Sequence, residues 1–463
     1  AFFTEVSHSG AGKLVHLAPT VPTLNGRPEI RVGAPQLGEH DGQILNGTMP
    51  GSKVPGTSGE TKLPLEGVRV VDLSWAWAGP FCAMNLAHLG ADVIRFESEG
   101  RADLYRRLPL HPKNVERTLN TVGMFNQWNQ GKRSVALNLA EPKAKTLLLD
   151  FIETCDVVVE NYATGVMERL GLGYDVLKER NPGIILASIS GYGETGPLKS
   201  YMGYGPSIPP LTGLSAATGF VGGRASEIGI SMPDPTAGIT AAFGVCAALE
   251  ARKKTGLGEH LDVSLWEATA AFSVESWMAY AMNGSEPTRH GNRDEWMSPH
   301  GCFQTRGDDE WISIACPNDE AWHALCETLA PELAKDSRFA TLEDRKRNED
   351  ALEEGLALAT QQRERWELTR ALQARGIPAF PAQTAQDLVA DKHLNDRGFF
   401  ERLEHPEVGV RTHAGIPYRL GRRHNGVRCA APILGADTEA VLGEAFDLSI
   451  DEVRELREAK VLF

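Results

Sequence analysis

Apolar and polar positions fall into two alternating rhythms from residue 63 onward. Short continuous apolar runs at 68–73, 92–96, 156–159 and 183–188 are too short for buried helices and predict strands covered on both faces. Between them, 79–89 (opened by Gly-Pro), 147–153 and 175–180 carry helical spacing. This is the βαβ rhythm of an α/β protein with a parallel sheet. Further on, 267–282 and 348–374 predict long helices. The interval 285–385 reads as a smaller domain joined through Gly- and Pro-containing segments. The longest apolar stretch, 236–249, is rich in Ala and Gly and runs into Glu250, Arg252, Lys253 and Lys254, which predicts a buried helix too short to span a bilayer.

The chain also repeats part of itself. Residues 2–45 align without a gap on 399–442, at a constant offset of 397. Eleven of these 44 positions are identical: Phe2-Phe3 with Phe399-Phe400, His8 with His405, Gly12 with Gly409, His16 with His413, Arg31 with Arg428, Ala34-Pro35 with Ala431-Pro432, Leu37-Gly38 with Leu434-Gly435, and Leu45 with Leu442. The expected organisation is therefore the tail of a preceding homologous module at 1–45 and a Gly/Pro/Ser/Thr linker at 46–62. A large domain then spans 63–284, a small domain 285–385, and the chain returns to the large domain at 386–463.

Charge narrows the function. With 47 Lys and Arg against 61 Asp and Glu the net charge is −14, and an acidic chain repels polyanions, so nucleic acid and anionic membrane are set aside as partners. The N-terminus shows neither the basic nor the apolar region of a signal peptide. Seven scattered cysteines without a C-x-x-C pair suit reduced thiols in the cytoplasm. His290 and His300 flank Gly291-Asn292-Arg293 with no further ligand at metal spacing, so no metal is expected.

Candidate chemistry lies at strand ends. Ser74-Trp75-Ala76-Trp77-Ala78-Gly79-Pro80 joins a strand to a helix, where open parallel sheets bind ligands, although a Gly-Pro start is by itself an ordinary helix start. Arg95, Lys132 and Arg133 are cations suited to phosphates or, equally, to solvent. Ser190-Gly191-Tyr192-Gly193-Glu194 is a glycine-dense turn that either approaches a ligand or needs φ > 0. Asp234, in Pro233-Asp234-Pro235, suits a helix N-cap better than an isolated catalytic acid.

In order along 63–463, the chain resembles the class III CoA-transferases, also called the carnitine-dehydratase/bile-acid-inducible family. The resemblance rests on Gly67 to Leu73 (GVRVVDL) with Ala78-Gly79-Pro80, Leu89 to Glu97 (LGADVIRFE), and Gly131-Lys132-Arg133-Ser134. It continues through Glu160-Asn161-Tyr162 to Arg169-Leu170-Gly171-Leu172, Asn181-Pro182 to Gly193, and Gly258 to Leu265 (GEHLDVSL). It implies a doubly wound, Rossmann-like parallel sheet with an inserted smaller α+β domain, and two modules interlocked like links of a chain. It also implies CoA at the strand ends, with Trp77 and Ala78 by the pantetheine, Arg95 and Lys132 near the phosphates, and Asn161, Tyr162 and Arg169 along the groove.

One departure matters. Where the family carries its nucleophilic aspartate, this chain has Gly205, in Gly203-Tyr204-Gly205-Pro206, and glycine offers no side chain for covalent catalysis. The expectation is a CoA-transferase moving CoA from an acyl-CoA to a free carboxylic acid, with a second homologous module supplying the aspartate. The alternatives are another acid of this chain, Glu194 or Asp234, acting in transfer or in racemase-like chemistry, and a non-catalytic acyl-CoA-binding regulatory or scaffolding subunit.

Overall fold

In the computed structural model, which describes residues 3–8, 11–17, 30, 33–42, 62–286, 288–421 and 426–463, the chain enters as an antiparallel hairpin. Its strands are β1 (Phe3–His8) and β2 (Gly12–Leu17), with Phe3 opposite Leu17 and His8 opposite Gly12. The apolar runs then form β3 (Arg69–Asp72), β4 (Asp92–Glu97), β5 (Lys132–Ala136), β6 (Val157–Glu160), β7 (Ile185–Ser190) and β8 (His260–Ser264). All pair in parallel, in the order β5-β4-β3-β6-β7-β8. Winding reverses between β3 and β6, so a crevice opens beyond the carboxyl ends of those two strands.

Both faces of this sheet are covered, which is why its strands read as unbroken apolar runs. On one face, Ala83 and Leu86 of α1 (Ala78–His88) and Ala237, Ala241 and Val245 of α2 (Pro233–Thr255) pack on Val70, Val157 and Ile185. Small residues let these helices touch backbone to backbone: a Cβ at Gly238 would lie 2.6 Å from the Ala78 carbonyl oxygen. On the other face, Leu148, Phe151 and Ile152 of helix Pro142–Ile152 and, from the chain's end, Val441, Leu442 and Val453 pack on Val71, Ile94 and Val158. The expected doubly wound, Rossmann-like sheet is present.

The chain divides into two units, one of residues 1–215, 229–287 and 398–463, the other of 216–228 and 288–397. The second holds the antiparallel sheet β11-β10-β9, with β9 at His300–Gln304, β10 at Trp311–Ala315 and β11 at Ala379–Pro381. Ile312, Trp322, Leu356 and Leu372 anchor its own core. Its limits differ from the expected 285 and 385, and the segment 216–228 joins it. Two expected long helices are interrupted. The stretch 348–374 divides into Glu349–Thr360 and Arg365–Gln373, because the Glu364 carboxylate caps the second helix. The stretch 267–282 divides into Leu265–Ala270 and α3 (Val274–Asn283) around a tighter turn at Ala271–Ser273.

The repeat is structural. The hairpin β12 (Phe400–His405) and β13 (Gly409–Ala414) pairs Phe400 with Ala414 and His405 with Gly409, the β1–β2 register shifted by 397. Gly12 (φ 73°) and Gly409 (φ 68°) close the two turns in the left-handed region. Further along, residues 37–42 trace the same turn and helix start as 434–439, with Gly38 at φ 78° and Gly435 at φ 71°. The later copy is anchored, its Leu434 and Gly435 amides donating to Asn120 Oδ1 and Ser134 Oγ. Leu37 of the earlier copy is fully exposed. Of the expected linker, 46–61 lies outside the described residues, as do 1–2, 9–10, 18–29, 31–32 and 43–45 of the expected tail.

Candidate active site

The crevice at the winding reversal is closed by the loop from β3 to α1. Asn161, at the end of β6, accepts from the Trp75 amide at 2.7 Å and donates to the Trp75 carbonyl at 2.8 Å. Gly79 allows the chain to turn there, since a Cβ would sit 2.2 Å from Ser74 Cβ. Ala76 takes a left-handed conformation (φ 60°), which costs a non-glycine residue about 1–3 kcal/mol. Its amide donates to the Asp103 carboxylate at 3.2 and 3.1 Å, which holds it there.

Around this loop stand three of the expected groove residues. Tyr162 meets the Trp75 ring edge-on, with centroids 6.4 Å apart. Trp77 stacks on Trp128 at 5.2 Å, and both indole nitrogens are buried without a hydrogen-bond partner. Ala78 is buried at the start of α1. Arg169 lies exposed on the short helix Val166–Leu170. A residue that the sequence did not single out, Arg101, is exposed and carries its guanidinium 5.3 Å above the Trp75 ring.

Arg95 and Lys132 require correction. Their side chains are buried, at 1% and 0% exposure, and their donors face carboxylates. Arg95 binds Asp72 at 3.2 Å and Asp103 at 2.5 Å, with Glu97 at 3.4 Å. Lys132 donates to Asp72 at 2.8 Å, to the Pro80 carbonyl at 2.9 Å and to Asn129 at 2.8 Å. Arg106 pairs with Glu97 and lies over the Phe125 ring. Three cations thus meet three carboxylates in a neutral buried network beneath the loop, which leaves no charge to hold a phosphate. Burial pulls the Lys132 ammonium down to about 8, against the pull of Asp72. Arg133 reaches Asp92 and Glu444 on the flank.

The glycine-dense turn after β7 brings backbone against backbone: a Cβ at Gly191 would lie 2.6 Å from Gly203 Cα. That contact fixes Tyr204-Gly205 beside the start of α2. A Cβ at Gly205 would lie 1.4 Å from Ser231 Oγ and 2.0 Å from Asp234 Oδ2, so the space a side chain at 205 would need is already filled. Asp234 is not the N-cap of α2. Met232 holds that position and Pro233 the first helical one, placing Asp234 inside the first turn. Its half-buried carboxylate accepts from Ser231 Oγ at 2.6 Å, from its own amide and from the Ala78 amide at the start of α1. Burial raises its pKa, against those hydrogen bonds.

Glu194 sits elsewhere, with its amide donating to Asp262 at 2.9 Å. It lines a cavity with Glu168, Tyr174, Asp175 and His260. Burial, then Glu168 and Asp262, raise its pKa to about 7. Buried Glu160, which accepts from the Tyr162 amide at 2.8 Å, is raised to about 8. Among the described residues no group of three or more His, Cys, Asp or Glu is placed to hold a metal ion, and no helix is long and apolar enough to cross a membrane.

Sequence comparison completes the assignment: the profile of CoA-transferase family III matches residues 65–438, and the chain belongs to that family of enzymes. It is 37% identical over 329 residues to an acetyl-CoA:oxalate CoA-transferase of Acetobacter aceti, covering 70% of this chain and 82% of that one. It is 30% identical over 433 residues to the succinyl-CoA–L-malate CoA-transferase alpha subunit of Chloroflexus aurantiacus, covering 92% and 100%. A CAIB/BAIF family protein from Brucella suis superposes with a TM-score of 0.78 at 32% identity, covering 83% of this chain and all of that one.

Proposed function

We propose that this chain moves CoA from an acyl-CoA to a small free carboxylic acid, using no nucleophile from position 205 and working with a second homologous module interlocked with its own. The family match across the whole sheet carries the transferase reading. The partner reading is supported by the duplicated hairpin and by Leu37, exposed where its counterpart Leu434 is anchored. Relatives named for oxalate and for malate make short dicarboxylic acids the first acceptors to assay.

CoA is placed at the crevice, its pantetheine by Trp77 and Ala78 and its length along Asn161, Tyr162 and Arg169. Exposed Arg101, rather than Arg95 or Lys132, presents the cation for a phosphate. The test is calorimetry with CoA followed by exchange of label between acetyl- or succinyl-CoA and oxalate or malate, for this chain alone and with the module encoded next to it. Transfer to an acid supports the proposal. Binding without turnover in either setting would make the chain a non-catalytic acyl-CoA-binding subunit, exchange of the α-hydrogen without an acceptor would make it racemase-like, and failure to bind CoA would remove all three readings.

A further inference from the structure

We propose that a cavity at the edge of the sheet, separate from the crevice, binds a small protonated amine with an apolar body. The helix Leu265–Ala270 leaves the end of β8, the last strand of the sheet, and α3 follows it. These helices and the β1–β2 hairpin line a cavity of about 540 Å³, inside the range of about 300–1,000 Å³ typical of small-molecule sites. Its lining residues all belong to one unit of the chain, and none of them is a residue of the crevice at the winding reversal.

The walls are aromatic. Phe3 stacks on Trp277 with ring centroids 4.7 Å apart, Tyr280 stands 6.4 Å from the same indole, and Trp266 lines the cavity from the preceding helix. Both indole N–H groups are already committed, Trp266 donating to the Leu211 carbonyl at 2.8 Å and Trp277 to the Val15 carbonyl at 3.0 Å. The rings therefore offer the cavity π-electron surface and no indole donor. Such surface attracts a cation through the ring quadrupole.

The charges agree with the rings. Glu267 and Glu286 place carboxylates on the lining, and among the described residues no Lys, Arg or His joins them. Ser273 adds a hydroxyl whose oxygen is buried without a hydrogen-bond partner, an acceptor that an ammonium N–H would satisfy. The ammonium head thus meets carboxylate, hydroxyl and ring surface while its apolar body lies against the indoles. A carboxylate or a phosphate would instead meet two like charges with no cation to pair it. That sets the ligand apart from the acids and CoA esters of the transferase reading, on which this inference does not depend.

The test compares three ligands of nearly one shape by calorimetry on the full chain at neutral pH: phenethylammonium, the neutral phenethyl alcohol and the anionic hydrocinnamate. The cation should bind about tenfold or more tightly than the alcohol, as a cation over a ring beside a carboxylate would, and hydrocinnamate should not bind. Glu286→Gln, at an exposed position, should weaken the cation about fivefold and leave the alcohol within about twofold. Tyr280→Leu, also exposed and outside the bond that seats Trp277 on Val15, should weaken the cation by a similar factor. CoA added in excess should leave the affinity for phenethylammonium unchanged. Equal affinity for the amine and the alcohol would make this an apolar cavity only and overturn the inference, as would parental affinity in both variants or preference for hydrocinnamate. Displacement of the amine by CoA would place it in the crevice and overturn it equally, and so would failure of all three ligands to bind.

Discussion

The Asn161 side chain grips both the amide and the carbonyl of Trp75, pairing with that residue as a neighbouring strand would. A single carboxamide thereby ties the β6 end of the crevice to the β3 end, and only Asn offers a donor and an acceptor at that reach.

Asn161→Asp tests this tie. The acid keeps the acceptor for the Trp75 amide but loses the donor, leaving the Trp75 carbonyl facing an oxygen. Leaving such a group unsatisfied costs about 1–3 kcal/mol. Thermal unfolding should fall accordingly and CoA affinity should drop about tenfold as the loop loosens, by the equilibrium arithmetic of the lower end of that range. Parental values in both would show that the loop is held by Asp103 alone.

Arg95→Ala and Lys132→Ala should damage the fold before they damage binding. Each removes one cation from a set of three cations and three carboxylates that is closed to solvent. Breaking a buried pair in this way costs about 3–5 kcal/mol, because the abandoned carboxylate stays buried. The expected readout is a large fall in melting temperature with near-parental CoA affinity in the protein that remains folded. A parental melt with CoA weakened tenfold would restore the phosphate role to these residues.

How far the sequence was legible follows from particular residues. Val70, Val71 and Val157 to Val159 are wholly buried, so their runs announce strands without ambiguity. Arg95 and Lys132 were not legible, because a cation at a strand end looks the same whether its partner is a phosphate or a carboxylate. The deciding partner, Asp103, sits in an aperiodic segment after β4. Asp234, expected at the N-cap, stands two positions further into the helix for a similarly local reason. Pro233 takes the first helical site, which moves the acid inward and aims it at α1. The helix breaks at Ala271–Ser273 and before Arg365 depend on caps and tertiary packing that apolar spacing does not encode.

Glu160 gives the protein a pH dependence with a defined sign. Burial raises its pKa from 4.5 to about 8, so between those values the folded state keeps a proton that the unfolded chain releases. Unfolding free energy therefore falls as pH rises through that window, with the stabilisation complete below 4.5 and lost above about 8. Glu194, raised to about 7, acts in the same direction. His88 and His260, pushed down to about 4 by burial, act oppositely below 6.5. Urea unfolding of the parent and of Glu160→Gln from about pH 6.5 to 8.5 isolates the glutamate, since a neutral amide cannot titrate. The parent should lose stability across that range and the variant should lose less. Parallel curves would mean that Glu160 is ionised in the folded protein.

Gly205→Ala is the most economical probe of the crowded corner at α2. The added methyl would begin 1.4 Å from Ser231 Oγ and 2.0 Å from Asp234 Oδ2, so both side chains must move. Ser231 can rotate, but Asp234 is tied to the Ala78 amide, and displacing it breaks that contact. Overpacking of this kind costs about 1–3 kcal/mol of stability. A carboxylate displaced by on the order of 1 Å from a reacting centre loses about a hundredfold in rate. Turnover should therefore fall by that factor while CoA affinity stays within about threefold. Ser231→Gly added to Gly205→Ala should recover part of the rate by vacating the nearest atom. Gly205→Asp meets the same wall with a larger side chain and should be slower than the parent. A faster Gly205→Asp enzyme, labelled by hydroxylamine at 205, would show that the corner opens and that position 205 reaches the thioester after all.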